Sequence, residues 1–263
     1  MRRRDWCTGA LALASLSCRQ KPDTTVSPDE LPPAPERPAV PPDAFAIEGH
    51  GARLALRRPV HVQPPVAEGG AVHILSEADG RRTLKLHPGV PPEGKTGVVA
   101  SVDGAWIESA DEALTLDELG ELTATGYDGD WRIVIADAAC EWPDELDVEA
   151  FGGELPRVEL RRFAELRDVM VVVRGPARAE DIPPIDGLVA PGQEIVATHP
   201  EATPPWIELT YGYDGETWTQ RHYRVEIGAR VLLVTAQATA ELAEVIFADV
   251  QTVAGSLRAT APA

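Results

Sequence analysis

Trp206-Ile207-Glu208-Leu209-Thr210-Tyr211, the pair Asp214-Gly215, Thr217 to Ile227, and Val231 to Ala236 make up the stretch that decides the fold. Apolar and polar residues alternate on both sides of Asp214-Gly215. Asp-Gly favours a two-residue hairpin turn because both positions tolerate positive φ. A third strand follows over Val231–Ala236. A helix is then expected to begin near Thr239, a suitable N-cap, with Glu241 in its first turn. Leu242, Val245, Ile246, Val250, Val253 and Leu257 fall at helical spacing along one face. That stripe is core in the first instance: an amphipathic helix laid on a sheet.

Moving toward the N-terminus, Val169-Met170-Val171-Val172-Val173 is a continuous apolar run, the pattern of a central strand covered on both faces. Asp-Gly recurs at 79/80, 103/104, 128/129 and 186/187, and the chain from Phe45 reads as hairpins. Arg53-Leu54-Ala55-Leu56-Arg57 alternates as a half-buried strand should. For residues 71–87, a three-residue loop at Ala78-Asp79-Gly80 puts Val72 opposite Leu86 and Ile74 opposite Leu84, with the apolar residues on one face. For residues 122–135, a two-residue loop at Asp128-Gly129 pairs Leu122 with Ile135 and Ala124 with Ile133. Arg157 to Arg167 reads as a short helix after Pro156, although Val158 and Leu160 also alternate. Residues 176–205 hold seven prolines and read as a long irregular connection, where a subdomain break would fall. Glu121-Leu122-Thr123…Tyr127-Asp128-Gly129 echoes Glu208-Leu209-Thr210…Tyr213-Asp214-Gly215, and the same turn chemistry used twice accounts for it better than a duplication. The fold class expected is α+β: an antiparallel sheet built from hairpins, with flanking helices and the C-terminal amphipathic helix packed on the sheet, over residues 44–263.

The closing unit resembles that of PsbP-like and DcrB-like proteins, through Leu209-Thr210-Tyr211, Asp214-Gly215, Leu233-Val234-Thr235 and Gly255-Ser256-Leu257. The resemblance covers about residues 206–258. It implies an antiparallel sheet flanked by helices, in a family of exported or chaperone-like proteins with no shared enzymatic activity.

At the other end, Arg2-Arg3-Arg4 precedes an apolar and small-residue run from Trp6 to Ser17, closed by Cys18. This is the layout of a secretory signal over residues 1–17, and the run is too short to span a bilayer. Leu13-Ala14-Ser15-Leu16-Ser17-Cys18 resembles the lipobox of bacterial lipoprotein precursors, with Ser15 where the family prefers Leu and Ser17 in keeping with it. The resemblance implies a lipid on Cys18 and a protein tied to the cell envelope, at the outer membrane facing the periplasm. Several acyl chains hold firmly where one holds marginally. The alternative is a cut after Ala14 and release of a soluble chain. Eight of the 24 prolines fall within residues 18–43, which read as an extended, Pro-rich disordered tether.

Charge narrows the partners. The net charge is −18, and residues 1–17 carry three arginines against one aspartate, so the rest of the chain is more acidic still. Such an excess repels phosphate backbones, which argues against nucleic acid and favours basic partners. Cys140 ends the apolar run from Ile133 and reads as a buried small hydrophobe. If Cys18 carries no lipid, a Cys18–Cys140 disulfide becomes conceivable.

No catalytic signature emerges. His73 and His87 come out as diagonal neighbours on one hairpin, but Lys85 sits opposite His73, and neither His-x-Glu-x-x-His nor Cys-x-x-Cys occurs, so no metal or cofactor is expected. Gly-x-Ser-x-Gly and phosphate-loop patterns are missing as well. Asp128-Gly129-Asp130 and Glu145-x-Asp147-x-Glu149 offer oxygen ligands without the calcium-loop spacing. Tryptophans 106, 131, 142, 206 and 218 fill a core or line a groove. The sequence therefore points to a non-enzymatic envelope lipoprotein that binds a protein partner or serves a structural role. Two alternatives stand beside it: an immunity or chaperone partner of an exported toxin, and an envelope-polymer hydrolase with unidentified carboxylates. Palmitate labelling of the expressed chain is expected to be lost in Cys18→Ala, and an unlabelled, soluble wild type would end the lipid reading.

Overall fold

The structure, a computed structural model, describes residues 45–57, 60–65, 70–75, 83–109, 116, 120–151, 156–163, 166 and 168–260. The signal segment 1–17, the tether 18–43, Cys18 and the Asp79-Gly80 loop lie outside them.

The fold is α+β and sheet-dominated. The first nine strands are β1 (Phe45–Gly49), β2 (Ala52–Leu56), β3 (His61–Gln63), β4 (Val72–Leu75), β5 (Thr83–Pro88), β6 (Val98–Val102), β7 (Ala105–Ser109), β8 (Gly120–Ala124) and β9 (Arg132–Ile135). They are followed by β10 (Ala138–Glu141), β11 (Asp147–Phe151), β12 (Arg157–Arg161), β13 (Met170–Arg178), β14 (Glu194–His199), β15 (Trp206–Tyr213), β16 (Glu216–Ile227), β17 (Arg230–Thr239) and β18 (Arg258–Ala259), with helix α1 (Ala243–Ser256) between the last two. Six strands form one sheet in the order β18-β10-β9-β1-β2-β8; twelve form the other, β14-β15-β16-β17-β13-β12-β11-β3-β4-β5-β7-β6. All the pairings are antiparallel.

Period-two alternation builds a single main core. Ile47, Leu54 and Ile133 of the small sheet join Val62, Ile74, Leu84, Ile107, Val148 and Leu160 of the large one. Ile246, Val250 and Val253 of α1 complete the same cluster. The helix lies against β13, β16 and β17 and also touches β10, so it bridges the two sheets. Its seat is partly ionic. Asp249, only 6% exposed, accepts from Arg162 Nε at 3.0 Å and Nη2 at 2.6 Å. Arg221 pairs with Glu208 at 2.6 Å and lies between Trp206 and Phe247, 4.5 and 4.1 Å from their ring centres.

Much of the expected local structure is present. Asp214-Gly215 closes the β15–β16 hairpin with φ of 50° and 81°. Asp103-Gly104 closes β6–β7, and a Cβ on Gly104 would fall 1.9 Å from the His50 carbonyl oxygen. Val72 pairs with Leu86 and Ile74 with Leu84. β13 is central, with Val171 and Val173 buried on one face and Val172 on the other.

Several expectations are corrected. Leu122 pairs with Leu54, and Ile133 with Ile47, because the β1–β2 hairpin inserts between β8 and β9. Its turn is held by His50 N–H donating to Gly129 O and Gly51 N–H to Tyr127 O, both at 2.8 Å. Asp128-Gly129 has no positive φ, so the echoed motif does not form the same turn twice. Residues 157–161 are strand β12, not helix: Val158 and Leu160 enter the core while Glu159 turns the other way, between Arg157 and Arg161. The 176–205 connection contains strand β14 and two short 3₁₀ turns, one of which takes up Asp186-Gly187. β14 edges the large sheet, with a register slip between Ile195 and Ala197. Helix α1 begins at Ala243 with no side-chain cap; Thr239 belongs to β17 and only its carbonyl accepts, from Leu242 N–H. Phe247 fills the core in place of Val245, which is 43% exposed.

Arg162→Ala leaves a buried carboxylate without a counter-charge and is expected to cost about 3 kcal/mol in urea unfolding. The apolar double variant Arg162→Met with Asp249→Leu is expected to recover most of that loss.

Candidate functional site

A cleft of about 1140 Å³ opens where the ends of β3 and β4 meet the segment 127–132 and the turn 141–147. Its apolar lining comes from Pro64, Pro65, Tyr127, Trp131 and Trp142. Each aromatic ring is fixed by a polar contact, as buried indoles generally are. Trp131 Nε1 donates to Gly70 O at 3.2 Å, and the ring meets His50 edge-on at 4.8 Å. Trp142 Nε1 donates to Leu146 O at 2.7 Å. Across Tyr127 lies the Arg132 guanidinium, 3.5 Å from the ring centre. Arg132 in turn donates twice to Glu48 Oε2, at 3.0 and 2.5 Å.

The wall carrying Trp142 is tethered to α1. Glu145, at φ 65°, accepts from Arg162 Nη1 at 2.6 Å, while the other two nitrogens of the same guanidinium hold Asp249. Glu141 N–H donates to Ser256 Oγ at 2.9 Å. A turn with a strained residue is thus over-determined from the helix.

The lining is acidic. Asp130, Glu141, Asp144, Glu145 and Asp147 face Arg132 and His73. Arg132 is already matched by Glu48, Glu145 by Arg162, and Asp147 by His61. The carboxylates of Asp130, Glu141 and Asp144 have no hydrogen-bond or ion-pair partner among the described residues, so the cleft mouth carries uncompensated negative charge.

His61 joins this wall to the outer face of the large sheet. It meets Asp147 at 2.8 Å and Glu149 at 3.4 Å. Hydrogen bonding to Asp147 first, and to Glu149 next, pushes its pKa up to about 9 against the opposing cost of burial. The imidazole is therefore a cation at neutral pH. Beyond it run Glu149, Arg161, Glu159 and Arg157, each paired with the next. These pairings divide the Glu145-x-Asp147-x-Glu149 motif between two cations, Arg162 and His61, instead of gathering it around one ion.

The other residues raised by the sequence are dispersed. His73 lies opposite Lys85 and borders the cleft, whereas His87 stacks on Trp106 at 4.1 Å and bonds Glu108 at 3.1 Å. Burial lowers the His87 pKa. Among the described residues no cluster of three or more His, Cys, Asp or Glu could hold a metal. Cys140 is buried and its thiol is pushed up to about 12 by desolvation. Trp106 and Trp218 are buried, Trp206 stacks on His199, and Trp131 and Trp142 line the cleft. The sequence raised a tryptophan groove without locating it, because its two indoles come from segments brought together only by the pairing of β9 with β10 and the turn before β11.

Fold and site together define a two-sheet α+β protein with an acidic, aromatic cleft. No protein-family model matches the chain, and no curated protein matches it. Among solved structures, the apo immunity protein TplEi of the T6SS from Pseudomonas aeruginosa is similar at 11% identity and a TM-score of 0.31, over 82% of this chain and 91% of that one. TplEi complexed with "L" peptide is similar at 11% identity and a TM-score of 0.30, over 82% and 90%.

His61 gains its proton affinity on folding, so its stabilising contribution is complete below about pH 6.5 and is lost as pH rises through about 9. An NMR titration is expected to place the His61 imidazole midpoint near 9, and His61→Gln is expected to remove the matching fall in stability between those limits.

Proposed function

We propose that this chain is a non-enzymatic binding protein of the cell envelope, and that its cleft receives a basic segment of an exported protein partner. The lining of the cleft carries the reading: Trp142, Tyr127 and two prolines beside the unpaired carboxylates of Asp130, Glu141 and Asp144. Lysine and arginine stems lie well on indole and proline, and their charged ends pair with carboxylates. The net charge of −18 favours approach of the same class of partner. Serving an exported toxin as an immunity or chaperone partner is the form of binding that this charge suits. A lipid on Cys18 and the Pro-rich residues 18–43 would keep the cleft close to the membrane while leaving it free to turn.

The test uses two labelled probes, a hexa-arginine and a hexa-glutamate peptide, read by fluorescence anisotropy. The cationic peptide is expected to bind, to weaken as salt rises, and to bind about tenfold more weakly to Trp142→Ala and to Glu141→Gln/Asp144→Asn. Equal affinity for both peptides, or variants that bind as the wild type does, would overturn the proposal.

A further inference from the structure

The cross-strand register of the large sheet collects arginines on the face away from α1. Arg224 pairs with Leu233, Leu233 with Arg174, and Arg174 with Arg157. Directly paired residues share a face, so three guanidinium groups stem from one row across four strands. In the next row His222 pairs with Thr235, Thr235 with Val172, and Val172 with Glu159. Two of the arginines have carboxylate partners: Arg157 pairs with Glu159, and Arg224 with Glu226. Arg174, which stands between them, has no hydrogen bond or ion pair among the described residues.

Several donors there are unused. Nε of Arg157 and Nε of Arg224 are buried without a hydrogen-bond partner, and so is Nε2 of His222. His222 is only 5% exposed, and its other ring nitrogen is committed to Thr235 Oγ1 at 2.9 Å. A buried nitrogen left without a partner costs free energy. Burial first and the adjacent Arg157 next push Arg174 down to about 10, against the opposing charge of Glu159, so it stays charged at neutral pH. Desolvation first, then the Arg174 charge, lowers His222 to about 4, so it stays neutral. Leu233, in the middle of the row, packs against Ile185 and Leu188 in one cluster and Ile182 in another.

We infer that this face holds a binding site for a compact oxyanion, gripped by Arg174 and Nε2 of His222 and flanked by Arg157 and Arg224. A guanidinium fork matches two oxygens of a carboxylate or a phosphate. The neutral imidazole supplies a further donor when its proton is on Nε2, the tautomer selected by a Thr235 hydroxyl donating to Nδ1. An anion there uses the donors that the protein leaves open and offsets the repulsion between Arg174 and Arg157. The site lies apart from the acidic cleft and does not depend on what the cleft binds.

The test is thermal unfolding of the full chain at pH 7 in sodium phosphate, sulfate or acetate, each matched in ionic strength with chloride. At least one oxyanion is expected to raise the midpoint in a saturable way. The salts that work distinguish a tetrahedral anion from a carboxylate. Arg174→Met removes an unpaired, half-buried cation, so it is expected to fold in chloride with equal or greater stability. It is also expected to bind the anion at least about tenfold more weakly. Arg57→Gln, just past β2 of the small sheet, is expected to keep the full response. Wild-type midpoints equal to those in chloride for all three salts would overturn the inference, as would an oxyanion response that persists in Arg174→Met.

Discussion

Arg162 meets both oxygens of Asp249 on the core side of α1 and a second carboxylate, Glu145, on the turn that carries Trp142. Much of the architecture depends on that one guanidinium. A carboxylate on the inner face of a helix is tolerable only with a counter-charge at hydrogen-bonding distance. Once it is present, the pair sets how the helix sits on β13, β16 and β17. Because Arg162 lies just past β12, the same contact ties the helix to the large sheet, and through Glu145 it fixes one wall of the cleft. Apolar burial by Ile246, Val250 and Val253 supplies the driving force. The ion pair supplies the position.

The C-terminal unit was legible in the sequence because its contacts are local. β15, β16 and β17 pair in chain order across short turns, and the Asp214-Gly215 dihedrals are those the residue types demand. Alternation also identified Ile133 and Ile135 as inward, but Ala124, placed on the same face, is exposed. The same pattern misassigned their partners, since period two fixes which face a residue occupies and says nothing about which strand lies alongside. The inserted β1–β2 hairpin satisfies the same alternation. At 157–161 the pattern of Val158 and Leu160 competed with a helix signal after Pro156, and the strand neighbours β11 and β13 decided it. The cleft was less legible than the fold. Trp131 and Trp142 flank the β9–β10 hairpin, but Pro64 is distant in sequence, and no pattern marks the three as neighbours.

Charge in this chain is sorted by face. The cleft mouth concentrates carboxylates without partners, while the far side of the large sheet alternates arginine and glutamate along β12 and continues through His61 to Asp147. Such a row is held by mutual pairing, so each member depends on its neighbours' protonation and position. It also joins a surface rich in arginine to the acidic rim through unbroken contacts.

Twelve strands hydrogen-bonded side by side leave two rims with unpaired backbone groups, a template for another polypeptide. At one rim, β14 exposes Ile195 and Val196 but slips its register at that very spot. The kink spoils the straight, evenly spaced ladder that runaway stacking requires. That small irregularity separates a dispersed population from a filament.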